Sequence, residues 1–128
     1  MNKTYDCKLG KIKNGKLIKF DKKMVWNFDK TLAIFISAGL RTLKENGDKG
    51  IPYELYDKAR NSYPNITDDE AHDKALAEWW QIVDDIIDGF DAYITIGSVI
   101  DDEEVKLLLK KYKKALKLFV KWFGEFWD

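Results

Sequence analysis

The residues best placed to do chemistry are acidic. Asp84, Asp88 and Asp91 follow one another at i, i+4 and i+7, so a helix sets them on one side, and Asp85 with Asp88 forms a D-x-x-D pair. Carboxylates at this spacing can hold Mg²⁺, which takes oxygen ligands and keeps several waters. With Asp84, Asp85 and Asp88 as ligands, the chemistry would be Mg²⁺-dependent nucleotide hydrolysis. No E-x-x-E partner with matching spacing occurs on a second core helix, and a solvated polar face is the simpler reading. Beyond that Mg²⁺, no cofactor is expected. His72 is the only histidine and Cys7 the only cysteine. A lone histidine with no nucleophile in reach is a surface residue, and no Cys–His pairing can be argued. No G-x-S-x-G, G-x-x-x-x-G-K-[ST] or G-x-G-x-x-G motif is present. The sequence therefore leans away from an enzyme.

Aromatic residues are the second set. The chain has five tryptophans, Trp26, Trp79, Trp80, Trp122 and Trp127, too many to be fully buried with every indole N–H satisfied. Trp79 falls on an apolar stripe, so its neighbour Trp80 is turned about 100° away. A nucleotide-like ligand needs a ring to stack on and cations for phosphate. Trp80, Tyr53 and Tyr56, with Arg41 and Arg60, are the candidates for that site. Tyr53, Tyr56 and Arg60 lie in a breaker-rich stretch, residues 47–66, that contains Pro52 and Pro64. Irregular stretches carry function more often than core helices do.

These residues need a scaffold, and 128 residues, 45% of them hydrophobic, suffice for one helical domain without metal or disulfide. One cysteine excludes a disulfide framework or a zinc cluster and fits a reducing compartment. No segment has the apolar length of a membrane span, so the expected location is cytoplasmic with no membrane partner. Net charge is zero but unevenly spread: +6 over residues 1–30, −11 over 31–105, +5 over 106–128. The basic ends either fold over the acidic middle or present a face for an anion. Twenty of the 22 basic residues are lysine, which argues against sequence-specific DNA reading.

Periodicity predicts the elements. Asn14-Gly15 between short alternating runs predicts a hairpin that pairs Ile12 with Leu17 and Leu9 with Phe20, sets Lys13 opposite Lys16, and packs on the helices. A helix over Trp26–Asn46 carries Leu32, Phe35, Ile36, Leu40 and Leu43 inward; Asn27 or Asp29 caps its start and Gly47 its end. Gly39 inside it predicts either close approach of another helix or a plain helix defect. A short helix spans Glu54–Asn61. Thr67-Asp68-Asp69-Glu70 is a capping box, and Leu76, Trp79, Val83, Ile86 and Phe90, widened by Ile82 and Ile87, form the stripe of the helix it opens. That helix weakens at Gly89 and ends before Gly97. Asp101 caps a long final helix with Val105, Leu108, Leu109, Tyr112, Leu116, Phe119, Phe123 and Phe126 inward. Four rings in the last seven residues predict a docked C-terminus. The expected fold is mainly α: three main helices plus one short helix in a compact bundle. Residues 1–22 form an N-terminal β-hairpin appendage to a helical core over 26–128.

The segments Trp26-x-x-Asp29-x-Thr31-Leu32-Ala33, Gly50-Ile51-Pro52, Trp80-x-Ile82-Val83-Asp84-x-x-Ile87-x-Gly89-Phe90-Asp91 and Leu116-x-Leu118-Phe119-x-x-Trp122-Phe123-x-x-Phe126-Trp127-Asp128 resemble a family of small tailed-phage proteins. The chain departs in Asp91 for glutamate, Gly89 for another small residue and Trp122 for tyrosine. The resemblance implies a setting, a phage-infected host cell, and no particular activity. Together these observations lead to a non-enzymatic phage binding protein acting in host takeover or counter-defence, on a nucleotide-type signal or a host protein. Homo-oligomers are possible partners too. The alternatives are the Mg²⁺-dependent hydrolase and a virion or assembly accessory protein.

Overall fold

A computed structural model describes residues 4–7, 10–20, 22, 27–47 and 50–126. Four helices follow a small sheet: α1 Phe28–Asn46, α2 Tyr53–Ser62, α3 Asp68–Ile96 and α4 Asp102–Trp122, ending in a 3₁₀ turn over Phe123–Glu125. The mainly α architecture of three long helices, one short helix and an N-terminal hairpin is the one the sequence predicts. Trp26, Trp127 and Asp128 lie outside the described residues.

The hairpin gains a third strand. β1 Thr4–Cys7, β2 Gly10–Lys13 and β3 Lys16–Phe20 form an antiparallel sheet in that order. Asn14 and Gly15 both have positive φ, 53° and 77°, as a two-residue hairpin turn requires. Ile12 pairs with Leu17 and Lys13 with Lys16, but the register then shifts and Phe20 faces Gly10, not the expected Leu9. The pairing skips Ile18, the extra residue of a bulge. The expectation that the hairpin packs on the helices is not met. Among the described residues no strand lies along a helix, and from Lys11 to Lys19 only Ile12 is even half-buried. The lysines that alternate through both strands keep the sheet solvated.

Helix ends follow local chemistry. The Thr67 hydroxyl accepts from the Glu70 N–H at 3.2 Å and donates to the Glu70 carboxylate at 3.1 Å, so the capping box forms. Asp101 accepts from the Glu103 N–H at 3.2 Å and opens α4. Gly47 closes α1 at φ 65°. Asn27 opens α1 from a left-handed φ of 52°, and the side-chain cap expected of it is not made.

α3 is the hub. α1, α2 and α4 each pack along it, while α1 and α4 do not pack along one another. Its Trp79, Val83 and Ile86 are fully buried, with Ala75, Ile87 and Phe90 beside them. α2 contributes Leu55 and Ala59, locked in by the buried Pro52 at its start. The C-terminus docks as expected: Trp122 meets Trp79 edge-on and Phe126 stacks on it, both with centroids 5.8 Å apart.

Two glycines divide the roles read from the sequence, Gly39 being the plain helix defect and Gly89 the close approach. A Cβ built at Gly39 meets nothing within 4 Å. Gly89 does not weaken α3, which runs on to Ile96. It is buried, and a Cβ there would lie 2.1 Å from the Ala115 Cβ and 2.6 Å from the Lys111 carbonyl oxygen of α4. The backbone approach at Gly89 rotates α4 so that Ala115 and Trp122 are its buried residues, and Leu116 and Phe123, expected inside, are exposed. On α1 the buried line is Ala33, Ser37 and Leu40, so Leu32 and Phe35, also expected inside, are exposed.

The two glycines should respond oppositely to alanine. Gly39→Ala gains helix propensity at no steric cost and should raise stability by roughly 0.5–1 kcal/mol. At Gly89 the same gain is outweighed by overpacking, and Gly89→Ala should lose roughly 1–3 kcal/mol. Urea melts of the two variants check both signs.

Candidate functional site

α1 is held to α3 by a polar ladder. At one end the Tyr93 hydroxyl of α3 donates to Asp29 of α1 at 2.5 Å. In the middle Arg41 forks onto both carboxylate oxygens of Asp91 and also donates to the Ser37 hydroxyl at 2.7 Å. Ser37, buried at 1% exposure, donates in turn to Asp91 at 2.5 Å. At the other end Lys44 donates to both oxygens of Asp84, at 2.7 and 2.8 Å. The pairs run 29–93, 37/41–91 and 44–84, as antiparallel neighbouring helices require.

The ladder perturbs its own members. The hydrogen bond from Tyr93 holds the Asp29 carboxyl below its ordinary range, and the same bond, with some desolvation, raises the Tyr93 phenol. Arg41 is raised by its bond to Asp91, with a smaller Coulombic contribution from Asp88.

The proposed metal ligands do not converge. Asp84 is taken by Lys44, whereas Asp85 accepts from Gln81 of its own helix at 3.0 Å and lies 3.6 Å from Lys114 of α4. Asp88 is exposed. Among the described residues no group of three or more His, Cys, Asp or Glu side chains could hold a metal ion. His72 is exposed, with Nδ1 3.9 Å from the carboxylate of its neighbour Asp73.

The proposed nucleotide site divides into three places. Arg60 pairs with Asp68, and the Tyr56 hydroxyl donates to the same carboxylate at 3.1 Å. Burial first, then the bond to Asp68, raises the Tyr56 phenol. Tyr53 is exposed, its ring centroid 6.2 Å from that of Tyr56. Arg60 and Tyr56 therefore fasten α2 to the start of α3, and Tyr53 stays outside that contact. Arg41 belongs to the α1–α3 ladder. Trp80 is half-buried and packs on the core, and among the described residues no ring or polar contact joins it to the other four. Both arginines meant for phosphate are engaged by aspartates.

A surface that periodicity did not foretell lies between α1 and α4. A groove of about 230 Å³ runs over α3, floored by Ala33, Ile36, Phe90 and Phe119 and edged by Leu32 and Leu116. Asp29, Tyr93 and Tyr112 close one part of it. Phe28 and Phe35 lie four residues before and three after Leu32, so they continue its edge; Val120 and Phe123 continue that of Leu116. Phe35, Val120 and Phe123 are 62%, 69% and 66% exposed. The signal was present as apolar residues in excess of one stripe on both helices.

The chain was compared with protein-family models, curated proteins and solved structures. It finds no match in any of the three. Its own geometry is the ground for a functional reading.

The ladder makes two testable statements about stability. Removing Asp91 takes the acceptor from the buried Ser37 O–H and the partner from Arg41, so Asp91→Ala should cost roughly 1–2 kcal/mol in a urea melt, and Arg41→Ala, at a half-exposed pair, less than about 1. The Asp29–Tyr93 bond has a pH window. The lowered Asp29 contributes stability that is whole above its unfolded value near 4 and is lost as pH falls further. The raised Tyr93 contributes stability that is whole below its unfolded value near 10 and is lost as pH rises through its folded value. The stability gap between wild type and Tyr93→Phe should therefore be flat from about pH 5 to 9 and narrow on either side.

Proposed function

We propose that this chain is a non-enzymatic binding protein whose working surface is the α1–α4 groove, and that the groove takes an amphipathic helix from a protein partner. The observation that carries this reading is the pairing of two exposed apolar edges, Leu32 and Phe35 on α1 with Leu116, Val120 and Phe123 at α4 and its end, across an apolar floor. They leave roughly 500 Å² of apolar side chain in water, near the upper end for one patch on a monomer, which marks an interaction site. Three helices around an open fourth position form a helix-in-groove receptor, read by anchors at i, i+3, i+4 and i+7.

The reading favours the protein partner over the nucleotide-type signal. A phosphate needs free cations beside a stacking ring, and Arg41 and Arg60 are each bound to a carboxylate. The resemblance to small tailed-phage proteins implies an infected cell as the setting, with host takeover or counter-defence as the purpose.

The test is fluorescence anisotropy with a labelled helical peptide that has a leucine face and uncharged flanks. It should bind with a Kd on the order of micromolar. Phe35→Asp and Val120→Asp, both at exposed positions, should keep the wild-type circular-dichroism spectrum and each weaken binding about tenfold or more. Absence of binding to wild type overturns the groove. Calorimetric heat with any nucleotide overturns the preference for a protein ligand.

A further inference from the structure

The α4 edge of the groove borders a second surface. Lys110, Lys113 and Lys117 line a broad shallow depression along the outer face of α4 together with Leu109 and Leu118. From Lys106 to Lys121 the helix carries seven lysines and no acidic residue. Three of them have partners: Lys106 is 3.3 Å from Glu103, Lys114 is 3.6 Å from Asp85, and Lys121 sits over the Trp122 ring at 4.9 Å. The other four, Lys110, Lys111, Lys113 and Lys117, have no carboxylate within ion-pair distance among the described residues. Helical spacing puts Lys113 and Lys117 beside Leu116 and Val120, along the groove's α4 edge.

That charge decides between occupants. A second copy laying its α4 antiparallel against this one would bring the two lysine runs together, which repels. A second copy laying α1 there would offer a helix that is itself not acidic: Asp29 and Glu45 against Lys30, Arg41 and Lys44. A nucleic acid would satisfy the lysines but leave the apolar edges in water. A helix with an apolar face and carboxylates along one flank satisfies both surfaces at once. We propose that the partner is an acidic amphipathic helix of another protein, its apolar face in the groove and its carboxylates on Lys113 and Lys117. This rests on the groove being the working surface and adds the partner's charge and its orientation around the helix axis.

The experiment uses the full chain and two labelled peptides with the same leucine face, one with glutamate flanks and one with lysine flanks. The glutamate peptide should bind about tenfold tighter at low salt, and the gap should shrink as salt screens the pairs. Lys113→Glu/Lys117→Glu, at exposed positions, should reverse the preference while still binding the uncharged peptide. Equal binding of both peptides overturns the charge assignment and leaves the groove standing. Failure of all three peptides overturns the groove itself. Binding of polyglutamate or a DNA duplex as tight as that of the glutamate peptide, unaffected by Val120→Asp, makes the lysine face a general polyanion surface and overturns the proposal. So does a wild-type dimer in sedimentation that Val120→Asp dissolves, since the occupant is then a second copy.

Discussion

What α4 buries, and what it leaves out, follows from how near it comes to α3 at Gly89. No side chain fits between that glycine and Ala115, and the Lys111 carbonyl lies against the same spot. A contact this close allows only one rotation of α4 about its axis. Ala115 and Trp122 turn inward, Trp122 reaches Trp79, and the aromatic C-terminus closes over the hub through Phe119 and Phe126. The same rotation turns Leu116, Val120 and Phe123 out. The exposed edge of α4 is therefore a consequence of the tightest packing in the core, not a fault in it.

α1 reaches the hub by different means. Its inward line is small or polar, Ala33 and Ser37 before Leu40, and its alignment comes from the Asp29–Tyr93, Ser37/Arg41–Asp91 and Lys44–Asp84 pairs. Half-exposed ion pairs contribute little stability each, but together they determine which residues of α1 face which residues of α3. Hydrophobic attraction alone would turn Leu32 and Phe35 inward. The ladder holds them at the groove's edge.

The periodicity of the chain made the helices, their caps, the short α2 and the Asn-Gly turn legible, because each depends on residues a few positions apart. It did not reveal which side of a wide apolar stripe is buried. Leu116 and Ala115 are adjacent on α4, and only the contact with Gly89, 26 residues earlier, decides between them. Nor could Gly39 and Gly89 be told apart: both are mid-helix glycines, and the difference lies in what stands opposite. The candidate site residues lie apart for the same reason. Arg41 and Asp91 are 50 residues apart, and their bond converts a supposed phosphate ligand into a helix clamp. The third strand was missed because Thr4–Cys7 is only four residues of alternation, too short to stand out, and the bulge at Ile18 because a register shift leaves no mark in the residue pattern.

An open apolar groove endangers a monomer, since like surfaces associate. The lysines of α4 bear on that problem directly. Seven cations over sixteen residues keep the exposed edge solvated and set two copies of the helix against one another. Under the proposed reading the same charges attract a partner whose flank is acidic. Solubility alone and partner selection and rejection of self then come from one arrangement, because a charge that repels its own kind beside an apolar edge admits only its complement. Arginine would form stronger forks with carboxylate; lysine, a flexible point charge, tolerates variation in where the partner's carboxylates sit. A surface built from lysine and leucine is thus suited to recognise a helix by pattern, apolar on one side and acidic beside it, more than by the exact placement of any one group.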